Sequence, residues 1–201
     1  MRMEMFTSWR TWDEARAGLA AAGLDERVVA TLERAAEAAT RWHGDQRRPT
    51  GAPYLEHLLE ALEVLVRGAG VTDPDMLAAA LLHDVVEDTD ATVADVEAEF
   101  GEGVAELVDW LTKPPAAGPD RQAKRAAKAA YLRRLGDAPE RAVLVKLADR
   151  VSNVQTLDRM APDFQRRYYA ETITYILPLA EPHPWFAGWY AAWRDRFAAL
   201  R

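Results

Sequence analysis

Two histidines and two aspartates stand among apolar neighbours that suit them poorly. His83 and Asp84 follow the run AAALL, Asp149 follows VLVKLA, and His57 lies early in a leucine-rich segment. An ionised aspartate on a largely apolar helix is costly unless something pairs with it, and a divalent cation is one such partner. Two imidazoles and two carboxylates form a mixed nitrogen and oxygen ligand set, which suits manganese, iron or zinc better than calcium. The set also leaves coordination positions open for water, as metal-assisted catalysis requires. Taken singly, each residue reads more readily as a satisfied core residue than as a ligand. Spacing alone does not show that the helices carrying them meet.

Glu87 and Asp88 follow at once. On one continuous helix Glu87 stands a turn beyond His83, and Asp88 a turn beyond Asp84. Both then lie beside the metal without binding it, where a general base or acid for water belongs. The plain alternative is a pair of solvated acids closing a helix. The helix dipole disfavours negative charge at that end, so the placement favours a functional reason.

The elements that must position these groups read as helices throughout. The chain has 201 residues, about half of them apolar, which suits one all-α domain over residues 1–201 with a single core. Alanine, leucine, arginine and glutamate dominate, with no sustained period-two alternation. Thr11 and Glu14 form a capping-box pattern opening a helix to about Ala22. Asp25 caps a second helix reaching about Gln46, and residues 47–53 (RRPTGAP) break it. A third runs over 54–69. Asp73-Pro74 starts a fourth that continues to about Val86. Short helices follow from Thr92 to Phe100 and over 103–112. Residues 113–119 (KPPAAGP) form an internal loop, and helices over 121–135, 139–160, 164–179 and 185–200 complete the set.

Composition narrows the partners. There is no cysteine, so disulfides and thiolate metal sites are excluded. The formal net charge of −7 argues against a general nucleic-acid or anionic-membrane binder, but leaves room for an anionic small molecule in a local basic pocket. No apolar run is long enough to span a bilayer, and residues 1–12 lack a signal-peptide core, so a cytoplasmic protein is expected. Arg121, Lys124, Arg125 and Lys128 recur at helical spacing. They read either as an electropositive wall for phosphates or as an ordinary solvated face. Arg166, Arg167 and Tyr168 raise the same choice, with the solvated face favoured. The stripe Trp185, Trp189 and Trp193, joined by Phe186, Tyr190 and Phe197, reads as a helix packed on the core, with a homodimer face as the alternative.

Four segments carry a family resemblance: HGDQRRPTGAPYLEH, AALLHDVVEDTDAT, FGEGVAELVDWLTK and VKLADRVSNVQTL. In this order they resemble the HD-type hydrolase domain of RelA/SpoT-type alarmone enzymes, over about residues 38–157. The helices of 164–200 lie beyond that motif core. The chain is about the size of the hydrolase domain alone and so is similar to the small alarmone hydrolases. The resemblance implies a compact helical HD fold and a single Mn2+ held by His57, His83, Asp84 and Asp149. It implies that Glu87 and Asp88 activate or orient the attacking water, and that Arg48, Thr50, Asn153 and Thr156 contact the nucleotide. It sets a basic segment at Arg121, Lys124 and Arg125. Tyr54 and Lys146 match further motif positions, and His43 matches a histidine expected to act structurally or behind the ligands.

The implied reaction is hydrolysis of the 3′-pyrophosphate of ppGpp or pppGpp. Removal of the NADPH 2′-phosphate, cleavage of another nucleotide, and a non-catalytic regulatory or antitoxin module are the alternatives. Three positions depart from the family pattern. Pro49 stands for a lysine, Ser152 for a histidine of the long forms, and Gln155 for an arginine. Pro49 removes one cationic contact and stiffens the loop, while Arg48 retains the means to stack on a purine or bind phosphate.

Overall fold

A computed structural model describes residues 3–116, 118 and 120–200, and Ala117 and Pro119 of the expected 113–119 loop lie outside them. Its helices are α1 (Trp12–Ala21), α2 (Glu26–His43), α3 (Tyr54–Glu63), α4 (Pro74–Leu82), α5 (Val85–Asp88), α6 (Val93–Phe100), α7 (Glu102–Leu111), α8 (Arg121–Arg134), α9 (Glu140–Val154), α10 (Pro162–Glu171), α11 (Leu177–Ala180) and α12 (Pro184–Arg196). No strand occurs among the described residues, and one isolated bridge joins Arg47 to Pro53. No helix among them is long and apolar enough to cross a membrane.

The centre is α4, buried at every residue from Met76 to Leu82. A helix apolar on all sides must be surrounded, and α2, α3, α7 and α9 pack around it. Asp73 caps α4 by accepting from the N–H groups of Asp75 and Met76, and Arg141 donates to both Asp73 oxygens. Burial raises the Asp73 carboxyl, but Arg141 and the backbone donors outweigh it and hold it below its ordinary value. Asp73→Ala should cost about 1–2 kcal/mol, mostly from the lost cap, since the ion pair is partly exposed. Because the folded value is depressed, this stabilisation is present above the unfolded carboxyl value of about 4 and fades as pH falls through the folded value. Urea unfolding at neutral pH and near pH 3 should show a gap between wild type and variant that narrows in acid.

Several boundaries differ from the sequence expectation, among them the helix expected over 54–69, which widens into a π turn at Val64–Gly68; four others have a local reason. The second helix stops at His43 because Gly44 takes φ 54°. The fourth breaks after Leu82. His83 Nδ1 donates to the Ala80 carbonyl at 2.9 Å, which a continuous helix would reserve for the Asp84 N–H. The late helix ends at Val154, well short of residue 160, because Trp193 Nε1 takes the Val154 carbonyl at 3.0 Å. The helix expected over 164–179 widens into a π turn at Thr172–Ile176, just before Pro178, which has no N–H for the ladder.

Most of the aromatic stripe lies in the core, with Trp185 partly buried against it. Trp189 and Trp193 are fully buried, and Phe186, Tyr190 and Phe197 nearly so. Tyr190 donates to the Leu147 carbonyl of α9. The departure at Gln155 has a structural use as well: its amide exchanges two hydrogen bonds with the Phe6 backbone, at 2.8 and 2.9 Å. This pins the N-terminal segment, with a buried Phe6, to the end of α9.

Candidate metal centre and active site

The break after α4 is what allows adjacent residues to share a target. Neighbours on a continuous helix point about 100° apart. At the His83–Asp84 turn both side chains face the same point. His57 comes from the first turn of α3, and Asp149 from the middle of α9.

His57 Nε2 lies 3.2 Å from His83 Nε2 and 3.3 Å from Asp149 Oδ1, and His83 Nε2 lies 3.5 Å from that same oxygen. Asp84 Oδ2 lies 3.1 Å from His83 Nε2 and 3.5 Å from His57 Nε2. Two ligands of one ion at about 2.1–2.2 Å are separated by roughly 3.0–3.6 Å when adjacent in its coordination sphere. His57, His83 and Asp149 thus form a three-donor cluster of buried residues, with Asp84 beside both imidazoles on its more open flank.

The tautomers agree with that use. His83 gives its Nδ1 proton to the Ala80 carbonyl, and His57 directs Nδ1 to Ser152 Oγ at 2.8 Å. Each then presents an Nε2 lone pair inward. Lone pairs and carboxylates converging in a buried space repel one another unless a cation stands between them, so the donor set fits a divalent metal. Without one, a proton takes its place. Burial opposes charge on His83, but Asp84 and Asp149 hold its imidazole well above the ordinary value. Burial likewise raises both carboxyls, and their cationic neighbours hold them well below it.

Further groups fix the acids. Tyr54 donates its hydroxyl to Asp84 Oδ2, and burial followed by the Asp84 charge raises the phenol so that it stays protonated. Asn153, one turn along α9, donates to Asp149 Oδ1 at 2.6 Å, while Lys146 pairs with Oδ2 at 2.7 Å. Burial lowers Lys146, but the Asp149 charge overrides it and keeps the ammonium protonated.

A cavity of about 200 Å³ opens over this centre. Its acids are Asp84, Glu87, Asp88 and Asp149, and its cations are Lys113, Lys128, Lys146 and Arg150. The protein's own charges there balance, so a bound divalent ion would leave a net positive cavity suited to a polyanion. Glu87 and Asp88 both reach the cavity, although α5 is a separate turn and not the end of α4. Their roles differ in the structure. Both Glu87 oxygens are engaged by Lys113, through its ammonium and its backbone N–H. Among the described residues the Asp88 carboxylate accepts only from Gln46, whose own amide oxygen meets His43 Nδ1 at 2.8 Å.

Arg121, Lys124, Arg125 and Arg167 line a second cavity of about 550 Å³ between α8 and α10. Lys128, Leu132 and Tyr168 line both cavities. Arg121, Lys124 and Arg125 are exposed there, Arg167 and Tyr168 line the same cavity, and Arg166 pairs with Asp163. Of the expected nucleotide contacts, only Asn153 lines the metal-centre cavity. Arg48, Thr50 and Thr156 line neither cavity. Arg48 is turned to Glu60, with Nη1 to Oε2 at 2.9 Å. Sequence reasoning missed Lys113, Tyr131 and Arg150 on the wall. Arg150 carried the same signal as Asp149, a charge inside the apolar stretch of α9, and it is buried against Glu171 at 2.5 Å.

The HD domain family matches residues 35–185. The human guanosine-3′,5′-bis(diphosphate) 3′-pyrophosphohydrolase MESH1 is 40% identical over 137 residues, covering 67% of this chain and 74% of the human protein. A Synechocystis protein named a probable guanosine-3′,5′-bis(diphosphate) 3′-pyrophosphohydrolase is 42% identical over 139 residues, covering 69% of this chain and 18% of its own length. The chain thus spans about a fifth of its long curated relatives. A solved structure described as a metazoan SpoT ortholog that hydrolyses ppGpp superposes with a TM-score of 0.72 at 30% identity, covering 83% of this chain and 96% of that one. The chain belongs to the HD-domain family, within the RelA/SpoT-type hydrolase group.

Proposed function

We propose that this chain is a manganese-dependent hydrolase that cleaves the 3′-pyrophosphate of ppGpp or pppGpp, giving GDP or GTP and pyrophosphate. One observation carries the reading: the donors of His57, His83 and Asp149 converge beside Asp84 under a cavity that also holds Glu87 and Asp88. The sulfur-free donor set suits manganese. Similarity to MESH1 and to the SpoT ortholog supports the substrate.

His57, His83, Asp84 and Asp149 would hold the metal. When bound, it supplies Lewis acidity for a phosphate oxygen and lowers the pKa of water. Asp88, whose carboxylate keeps an oxygen free of donors among the described residues, takes the proton of the attacking water. Glu87, clamped by Lys113, orients that water and keeps the ammonium at the cavity wall. The water oxygen bonds to the phosphorus attached to O3′, the O3′–P bond breaks, O3′ takes up a proton from solvent to become the 3′-hydroxyl, and Asp88 returns its proton to solvent. Lys113, Lys128, Lys146 and Arg150 stabilise negative charge on the pyrophosphoryl group under attack. Arg121, Lys124 and Arg125 hold the outer phosphates, with Asn153 steadying Asp149 and facing the substrate.

The test is hydrolysis of ppGpp in 18O-enriched water with Mn2+, with products separated by anion exchange. The account expects one 18O in pyrophosphate and none in GDP. Removal of the NADPH 2′-phosphate is the second reading, favoured by Pro49 and by Arg48 turning away from the cavity. Phosphate release from NADPH with ppGpp left intact would replace the substrate and keep the centre.

A further inference from the structure

The side of His57 that faces away from the metal centre leads into a buried polar chain. Its Nδ1 is 2.8 Å from Ser152 Oγ, and Ser152 Oγ donates to Glu60 Oε2. Arg48 Nη1 donates to the same Glu60 oxygen. Ser152 is 1% exposed and Glu60 9%. A carboxylate so far from water needs a reason and a counter-charge, and Arg48 supplies the second.

We propose that Ser152 and Glu60 are positioning residues for the metal centre, acting through His57, with Arg48 as the counter-ion of Glu60. A metal-binding imidazole must carry its proton on the nitrogen away from the ion, and an acceptor there fixes the tautomer and raises ligand basicity. Ser152 is that acceptor. Its own proton is committed to Glu60, so its lone pairs face His57 and the chain has one direction. Glu60 comes from the turn of α3 after His57, and Ser152 from the turn of α9 after Asp149. The relay thus ties together the two helices that supply those ligands. A serine at this position supplies one hydroxyl that both accepts from His57 and donates to Glu60. The inference rests on the metal centre alone and is independent of the substrate.

The test reads Mn2+ affinity without nucleotide, from the electron paramagnetic resonance signal of free Mn2+, at fixed pH with circular dichroism as the fold control. Ser152→Ala should weaken binding by about 10–100-fold, and Ser152→Thr, which keeps the hydroxyl, should restore it to within about 3-fold. Glu60→Gln keeps the shape and should weaken binding several-fold. If the alanine variant fails to fold, the glutamine and threonine variants carry the comparison. Residues acting in series should be non-additive, so the double variant Ser152→Ala/Glu60→Gln should bind no more weakly than Ser152→Ala alone. Unchanged affinity in folded Ser152→Ala or Glu60→Gln, or fully additive losses, would overturn the relay. Unchanged ppGpp turnover would not rescue it, because the readout is metal binding.

Discussion

His83→Ala should lose Mn2+ binding and ppGpp hydrolysis together, with turnover falling on the order of 10³-fold or more. The size follows from what one imidazole does here. Its Nε2 lies within 3.5 Å of the other ring and of both flanking carboxylates, and the residue is 1% exposed. Solvent has little access with which to supply a replacement ligand. Without a cation the protein loses both the charge that stabilises the transition state, worth about 10²–10³ for even a single donor, and the activation of water. Free Mn2+ should remain in solution at concentrations that saturate the wild type. Turnover retained by a folded His83→Ala protein would remove His83 from the centre.

Asp88→Asn should lower kcat by about 10²–10⁴-fold, as expected for loss of a positioned general base, while Mn2+ affinity stays within about 3-fold of wild type. The carboxamide is isosteric and can still accept from Gln46, so geometry is kept while basicity is lost. Glu87→Gln should cost less, because Lys113 already occupies both Glu87 oxygens. Steady-state kinetics and a pH–rate profile separate the cases. Loss of the acidic limb in Asp88→Asn alone identifies Asp88 as the base. An acidic limb lost only in Glu87→Gln would exchange the two roles.

Much of this site was legible because burial makes charge conspicuous in a sequence. An aspartate in VLVKLAD and a histidine after AAALL announce partners, and the structure brings Asp149, His83 and His57 to one point. The helical class followed from composition and caps, and the Thr11, Asp25, Asp73 and Thr92 caps stand where the sequence set them. The break after Leu82 was not legible, because it arises from a side chain taking a backbone carbonyl. The end of α9 was hidden for a similar reason, since Trp193 arrives from a distant helix to claim the Val154 carbonyl. Arg48 was placed at the nucleotide by resemblance, and its ion pair with Glu60 was not legible, because Glu60 looked like one more helix glutamate until α3 and α9 were seen to enclose it. Residues that act through a third partner leave little trace in a linear pattern.

The most direct measurement of the central claim is pyrophosphate release from ppGpp by chelator-stripped protein as Mn2+ is added back. The account predicts no release before addition, a rise that saturates at one ion per chain, and no rise in Asp149→Asn at the same ion concentrations. Full turnover by the stripped protein, or a rise in Asp149→Asn indistinguishable from wild type, would contradict a metal centre built on His57, His83 and Asp149.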